Sequence, residues 1–168
     1  MEHTLEQLRY PIGHFEHPEE ITQEHLRQWI HVLETLPERL QHLVQNLSEE
    51  QLETPYRPEG WTVRQLVHHI PDSHHNSYIR FKWALTEEKP IIKAYDEGRW
   101  AELFDSKTGP IQLSLNHLLA VHAKLVYLLK GLSDDDLKRL AEVELYKKVF
   151  HDLWIASVCF SRLSYHLL

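Results

Sequence analysis

Three segments of the chain carry apolar residues at steps of three and four positions, and this spacing constrains the fold more than any other feature. The segments cover about residues 22–47, 62–85 and 114–130. Such steps place side chains on one face of an α-helix, whereas a half-buried strand needs strict alternation. The sequence contains no convincing alternating segment. The pattern therefore predicts an all-α protein whose long helices each bury one face.

Capping signals mark where several of these helices begin. A Ser or Thr followed three positions later by Gln or Asp can satisfy free N–H groups in the first helical turn. This spacing occurs in Ser48 with Gln51, Thr62 with Gln65, and Ser133 with Asp136. Gly131 is a stop signal after the third long helix. Residues 89–110 are predicted to form a long connection, and connections of that length are often functional.

Length and composition indicate one soluble domain spanning residues 1–168. The chain carries a net charge of −7 and has 42% hydrophobic and 26% charged residues. A net negative charge argues against nucleic acid and anionic membrane as partners. A single cysteine excludes an internal disulfide and favours a reducing compartment. The first residues lack the apolar core of a signal peptide, so we do not expect them to act as one.

Residues 60–80 carry the strongest chemical signal. After the helix start at Thr62 they place His68, His69, Asp72, His74 and His75 along one short stretch. Imidazole nitrogens bind divalent transition metals and exchange protons near neutral pH, and carboxylates orient them. The segment therefore predicts a metal site or an acid–base site on the second long helix.

The sequence pattern of that segment resembles the first metal-ligand helix of the DinB-like proteins. The pattern is W-T-V-R-Q-x-V-H-H-x-x-D-S-H-x-N-S-Y-I-R-F-K. It is most similar to the branch of YfiT-type metal-dependent hydrolases, which is related to bacillithiol transferases. The resemblance covers about residues 8–139 and includes segments 10–13, 51–57 and 90–100. It implies an antiparallel, up-down four-helix bundle in a cytoplasmic homodimer.

The resemblance also implies a reaction and a metal. Such proteins hold one divalent ion through three histidines, and the first ligand falls on His69. Zinc is the expected ion and nickel the alternative, because both suit imidazole. The implied reaction is metal-dependent hydrolysis of a small molecule, or transfer of a low-molecular-weight thiol such as bacillithiol.

The other two ligands of the family come from a His-x-x-x-His pair on the last long helix, and this chain lacks that spacing among its 14 histidines. The resemblance ends near Leu140, and residues 140–168 diverge. His151 and His166 are weak replacement ligands there. An abrupt end after good agreement is typical of a reading-frame shift, which resequencing of the gene tests. With one matched histidine, we expect micromolar or poorer affinity for zinc or nickel.

Other roles stay open at the level of sequence. Asp72 either orients an imidazole or is a plain surface carboxylate. Arg80 is a candidate for holding an anionic substrate group, since its guanidinium fork matches a carboxylate. We expect His68, His74 and His75 to be solvated, and His122 to be a hydrogen-bonded core residue.

A rival interpretation is a metal-free helical protein, either an interaction module or a degenerate family member. The absent His-x-x-x-His pair favours it. So does Pro71, which removes a backbone N–H inside the predicted ligand helix.

Overall fold

The structure is a computed structural model that describes residues 22–142, and all of its regular elements are helices. In chain order they are α1 (Gln23–Val44), α2 (Glu49–Leu52), α3 (Val63–Thr86), α4 (Glu97–Ala101), α5 (Phe104–Thr108), α6 (Ile111–Lys130) and α7 (Asp134–Glu142). Within these residues the only β pairing is an isolated bridge between Pro55 and Thr62. No helix in this range is long and apolar enough to cross a membrane. The all-α prediction is confirmed.

The predicted capping boxes are present at the starts of α2 and α3. The side chains of Ser48 and Thr62 each accept a hydrogen bond from the backbone N–H of the residue three positions later. In return, the side-chain oxygens of Gln51 and Gln65 accept from the backbone N–H groups of Ser48 and Thr62. Segments 1–21 and 143–168, including His151 and His166, lie outside the described residues.

Two details of the third long helix differ from the prediction. α6 begins at Ile111, three residues before the predicted start. Leu119, expected on the inward face, is 60% exposed, while Leu118 and Leu125 on either side are fully buried. The apolar stripe of α6 is therefore narrower than the count of its leucines indicates.

The long helices do not all alternate in direction. α1 runs antiparallel to α6, because His122 contacts the carbonyl of Leu33 while Gln23 at the start of α1 contacts Asp134 beyond the end of α6. In contrast, α3 and α6 run the same way: His68 contacts Ser114 near their starts, and Phe81 clusters with Leu125 near their ends. The chain must therefore return along α3 before α6 can begin.

Residues 87–110 make that return. The predicted long connection contains two short helices, α4 and α5, which both pack against α3. Gln65 donates a 2.8 Å hydrogen bond to the carbonyl of Ala101, and Arg64 donates one of 3.1 Å to that of Gly109. A Cβ at Gly109 would lie 2.4 Å from the carbonyl oxygen of Asp105. Glycine is thus required where the return path meets the start of α6.

The core consists of two apolar clusters stacked along the bundle. The first joins the C-terminal half of α1 to the N-terminal halves of α3 and α6, and the second joins their other ends. Between Ile70 and Phe81 on α3, and between Leu118 and Leu125 on α6, the fully buried side chains include histidines. A polar layer therefore separates the two clusters.

Pro71 lies inside α3, which continues without a break from Val63 to Thr86. Its ring is buried, so packing offsets part of the missing hydrogen bond to Val67. Pro37 occupies the same kind of position in α1 and is also buried. Both helices therefore tolerate an interior proline because tertiary contacts hold them.

We predict that Pro71→Ala raises the free energy of unfolding. Restoring the helical backbone is worth about 3 kcal/mol, and deleting two buried methylenes costs about 0.8 kcal/mol each. The net gain should be on the order of 1 kcal/mol, measured by urea denaturation. Pro37→Ala is the matched control and should change stability in the same direction. A loss of stability in both variants would show that proline packing outweighs the backbone term.

Candidate metal centre

His69 lies in the first half of α3 and is almost fully buried, with 7% of its surface exposed. Its ring packs against that of Trp61 at a centroid distance of 4.8 Å. Its Nε2 lies 4.0 Å from a carboxylate oxygen of Glu97, the first residue of α4. The return connection therefore brings an acid to the histidine that sequence analysis proposed as a ligand.

Further polar side chains extend from His69 along the same face of α3. Ser73, Ser77 and Arg80 follow at steps of four, four and three residues, and all three are buried. The hydroxyl of Ser77 has no hydrogen-bond partner among the described residues. Burying polar side chains costs folding free energy unless they bind a partner, because each buried polar group loses its hydration.

Arg80 does not lie beside His69. Eleven residues separate the two on one helix, which is about 16 Å along its axis. The Arg80 guanidinium donates to the carbonyl of Lys93 at 3.3 Å and lies 5.9 Å from the ring centre of Tyr95. Its contacts in the described residues thus fasten the return connection to α3. Its proposed role with an anionic substrate stays a prediction.

His68 and Asp72 belong to a different side of α3. His68 contacts Ser114 Oγ at 2.7 Å through Nδ1 and the Gly109 carbonyl at 3.0 Å through Nε2. Because a carbonyl only accepts, we assign the ring proton to Nε2, so that the Ser114 hydroxyl donates to Nδ1. Burial lowers the pKa of His68, in agreement with this neutral form. His68 therefore joins the starts of α3 and α6.

Asp72 makes no ion pair or side-chain hydrogen bond to an imidazole among residues 22–142. Burial, followed by the like charge of Asp105, raises the pKa of its carboxyl to about 6. The carboxyl therefore titrates near neutral pH. Its role in orienting a ligand stays a prediction.

A chain of hydrogen bonds through His74 and His122 crosses the centre of the bundle. His122 Nδ1 lies 2.6 Å from the Leu33 carbonyl, which only accepts, so this nitrogen must carry a proton. Burial lowers the pKa of His122 to about 4, so the ring is neutral and its Nε2 accepts from His74 Nδ1. The two rings stack with centroids 4.7 Å apart and planes 7° apart.

The same argument assigns the protonation state of His74 Nε2. Since its Nδ1 donates to His122, its Nε2 is an acceptor, and it has no partner among the described residues. Burial, then His122 and His69, hold the pKa of His74 well below its usual value. A fully buried imidazole acceptor without a donor is uncommon, and its lone pair is available to a ligand that donates a hydrogen bond.

The expectation that His68, His74 and His75 are solvated is wrong. His68 and His74 are buried and His75 is half-buried. α3 is covered on most of its circumference, since every residue from Val63 to Pro71 is buried. Sequence periodicity assigns one buried stripe to a helix, and it missed a helix enclosed by α1, α6 and the return connection. The expectation that His122 is a satisfied core residue is confirmed.

The described residues alone do not supply a complete set of metal ligands. Residues 22–142 contain no group of three His, Cys, Asp or Glu side chains placed to hold one ion. A catalytic zinc site needs about three protein ligands. His69 provides one imidazole and Glu97 a carboxylate within reach, so this part of the chain supplies an incomplete set.

Comparison with known proteins places this geometry in a family. The sequence profile of the DinB superfamily matches residues 32–153. The chain belongs to the DinB superfamily. Relatives in Bacillus cereus (strain B4264) and Bacillus anthracis (strain A0248) are each 51% identical over 135 residues, which is 80% of this chain and 78% of theirs, and each is named "putative metal-dependent hydrolase".

A solved structure agrees with this membership. YfiT from Bacillus subtilis superposes with a TM-score of 0.85 at 38% identity, covering 95% of both chains. It is described as "a probable metal-dependent hydrolase with an unusual four-helix bundle topology". The four-helix bundle predicted for this DinB member is thereby confirmed. In the present chain the departure from simple up-down order is the parallel pair α3 and α6.

Sequence reasoning missed Glu97 and the pairing of His74 with His122. Glu97 lies in segment 90–100, which belongs to the family resemblance, and the length of connection 89–110 is the one sequence signal that favours a functional role there. The His74–His122 contact spans 48 positions and has no local signal. Only the packing of α3 against α6 reveals this contact.

We predict that the protein loses stability on acidification between about pH 6.5 and pH 4, with His122 as a main cause. Its folded pKa of about 4 lies below the unfolded value of 6.5, so the unfolded state binds the proton first as pH decreases. The free energy of unfolding therefore decreases as pH decreases. The His122 contribution is on the order of 3 kcal/mol. His122→Asn should flatten the stability–pH profile, measured by denaturation, whereas the exposed control His42→Asn should not. Equal slopes in all three proteins would contradict the assignment.

Asp72 should act with the opposite sign. Its folded pKa of about 6 lies above the unfolded 3.8, so its contribution to stability is present at low pH and is lost as pH rises through 6. Asp72→Asn should therefore raise the thermal midpoint at pH 7 and steepen the acid loss. Asp135→Asn, at an exposed position, is the control. A lower midpoint for Asp72→Asn at pH 7 would show that its charge is stabilised by contacts outside the described residues.

Proposed function

We propose that this protein is a metal-dependent hydrolase acting on a small molecule, with His69 as a metal ligand. The observation that carries the proposal is the burial of His69 on a polar helix face, with the Glu97 carboxylate 4.0 Å from its Nε2. Membership of the DinB superfamily and relatives named as metal-dependent hydrolases support it. Zinc or nickel suits an imidazole ligand, and either ion supplies Lewis acidity that lowers the pKa of a bound water or thiol.

The chain's own groups prepare the site for such chemistry. Trp61 covers one side of the His69 ring and excludes water from it. The Glu97 side chain is 60% exposed, so its carboxylate is open to solvent while it approaches the buried imidazole. A carboxylate in this position can orient the ring or accept a proton from an incoming nucleophile.

A low-molecular-weight thiol such as bacillithiol is our finer proposal for the substrate or co-substrate, and a homodimer is our proposal for the assembly. Both rest on the resemblance of residues 60–82 to the YfiT-type branch. Transfer of a thiol and hydrolysis differ only in which nucleophile is activated, so one site serves either reaction.

A metal-free family member is the second candidate. The incomplete ligand set in residues 22–142 and the absence of a His-x-x-x-His spacing from the whole sequence favour it. In that case the polar face of α3 serves binding or is a remnant of an ancestral site.

Metal titration of the full chain separates the two candidates. We predict that zinc or nickel binds with micromolar or poorer affinity and stimulates hydrolysis of a generic ester such as p-nitrophenyl acetate. His69→Ala should abolish the zinc binding and the metal-stimulated hydrolysis, because it removes the matched imidazole. His31→Ala, at an exposed position of α1, should behave like the parent protein.

Two outcomes would change the interpretation. Zinc binding that His69→Ala leaves unchanged, or no zinc binding at all, supports the metal-free candidate. Tight stoichiometric binding that His69→Ala abolishes means that residues beyond the described range complete the site, and the expected weak affinity is then wrong.

A further inference from the structure

His75 and His117 form a second histidine pair that the proposed hydrolase site does not use. His75 Nδ1 lies 2.8 Å from His117 Nε2, with ring centroids 5.0 Å apart and planes at 60°. Both side chains are half-buried, in contrast to the enclosed His74 and His122. The pair therefore combines a defined geometry with access to solvent.

The parallel packing of α3 and α6 holds this pair in place. The contact between His74 and His122 is adjacent along α3, and the contact between His68 and Ser114 lies two turns earlier. These contacts lie on either side of His117 on α6 and just before His75 on α3, so other interhelical bonds fix the backbones that carry the two imidazoles. Folding has already met the cost of bringing the rings together, so a ligand that needs both meets a preorganised site.

The spacing of the two nitrogens suits one class of metal ion. An imidazole nitrogen lies about 2.05 Å from a bound transition metal, so two cis ligands at 90° are about 2.9 Å apart. In a tetrahedral zinc site the corresponding separation is roughly 3.3 Å. The observed 2.8 Å is the length of a hydrogen bond, and it is close to the separation of cis ligands, so small rotations of the two rings direct both nitrogens at one ion of the tetragonal geometry that Cu(II) and Ni(II) prefer.

We propose that His75 and His117 form a second metal site, which binds Cu(II) or Ni(II) through His75 Nδ1 and His117 Nε2. Binding replaces the hydrogen bond between the rings. The proton held between them moves to the outer nitrogen of the ring that donated it, so both inner nitrogens present lone pairs and no oxidant or reductant is needed. Residues 22–142 contain no group of three ligating side chains, so this part of the chain supplies two imidazoles to the ion.

Protonation does not compete strongly with this binding at neutral pH. Burial, and then His75, lower the pKa of His117, so its ring is neutral there. Metal affinity of an imidazole depends on that neutral form. The net charge of −7 on the chain further favours a cation.

The test is copper titration combined with pulsed electron paramagnetic resonance, which counts coordinated imidazole nitrogens. The proteins are the full chain, His75→Gln, His117→Gln and the double variant, because glutamine keeps a polar side chain of similar length. All carry His3→Gln, which removes one competing imidazole outside the described residues. His42→Gln, exposed on α1, is the matched control, and His69→Ala tests independence from the hydrolase site.

We expect two coordinated imidazoles in the parent and one in each single variant. Copper affinity should fall about 10²-fold in either single variant and little further in the double variant, because the second imidazole binds intramolecularly. His42→Gln and His69→Ala should leave this site unchanged, which separates the result from failure of the proposed function. Losses that simply add, or an unchanged nitrogen count in His75→Gln and His117→Gln, would overturn the proposal. Thermal unfolding of each variant confirms that it is folded.

Discussion

The hydrogen-bond chain from His74 through His122 to the carbonyl of Leu33 ties all three long helices together at one level of the bundle. Apolar contacts above and below it are not directional, and they would tolerate sliding of one helix along another. A buried polar contact is directional and costs free energy when it is broken, so it fixes register. The layer lies between the two apolar clusters, and the neighbouring contacts of His68 and His75 depend on the same register.

The direction of α6 determines what surrounds α3. Because α3 and α6 are parallel, the chain must travel back along α3 between them, and it does so through α4 and α5. This path covers the side of α3 that carries His69 and places Glu97 over it. A simple hairpin after α3 would have left that side open to solvent. The crossover therefore creates the candidate site as well as connecting the helices.

The histidines of α3 serve different purposes although they are close in sequence. His68 joins α3 to α6 near Gly109, His69 faces Glu97, and His74 holds the central layer. Consecutive residues on a helix are 100° apart, so each imidazole meets a different neighbour. A cluster of histidines in sequence thus becomes several separate sites, which explains why residues 22–142 contain no three-ligand group.

Local pattern determined the long helices and the starts of α2 and α3. The apolar spacing, the capping boxes at Ser48 and Thr62 and the resemblance around His69 led to the helical class, the helix starts and the family, because each depends on residues within a few turns. The burial of His74, the exposure of Leu119, the approach of Glu97 and the pairing of His75 with His117 were decided by tertiary structure. These features depend on contacts between residues about 30 to 50 positions apart and on the parallel packing of two helices, and periodicity within a single helix carries no information about its neighbours.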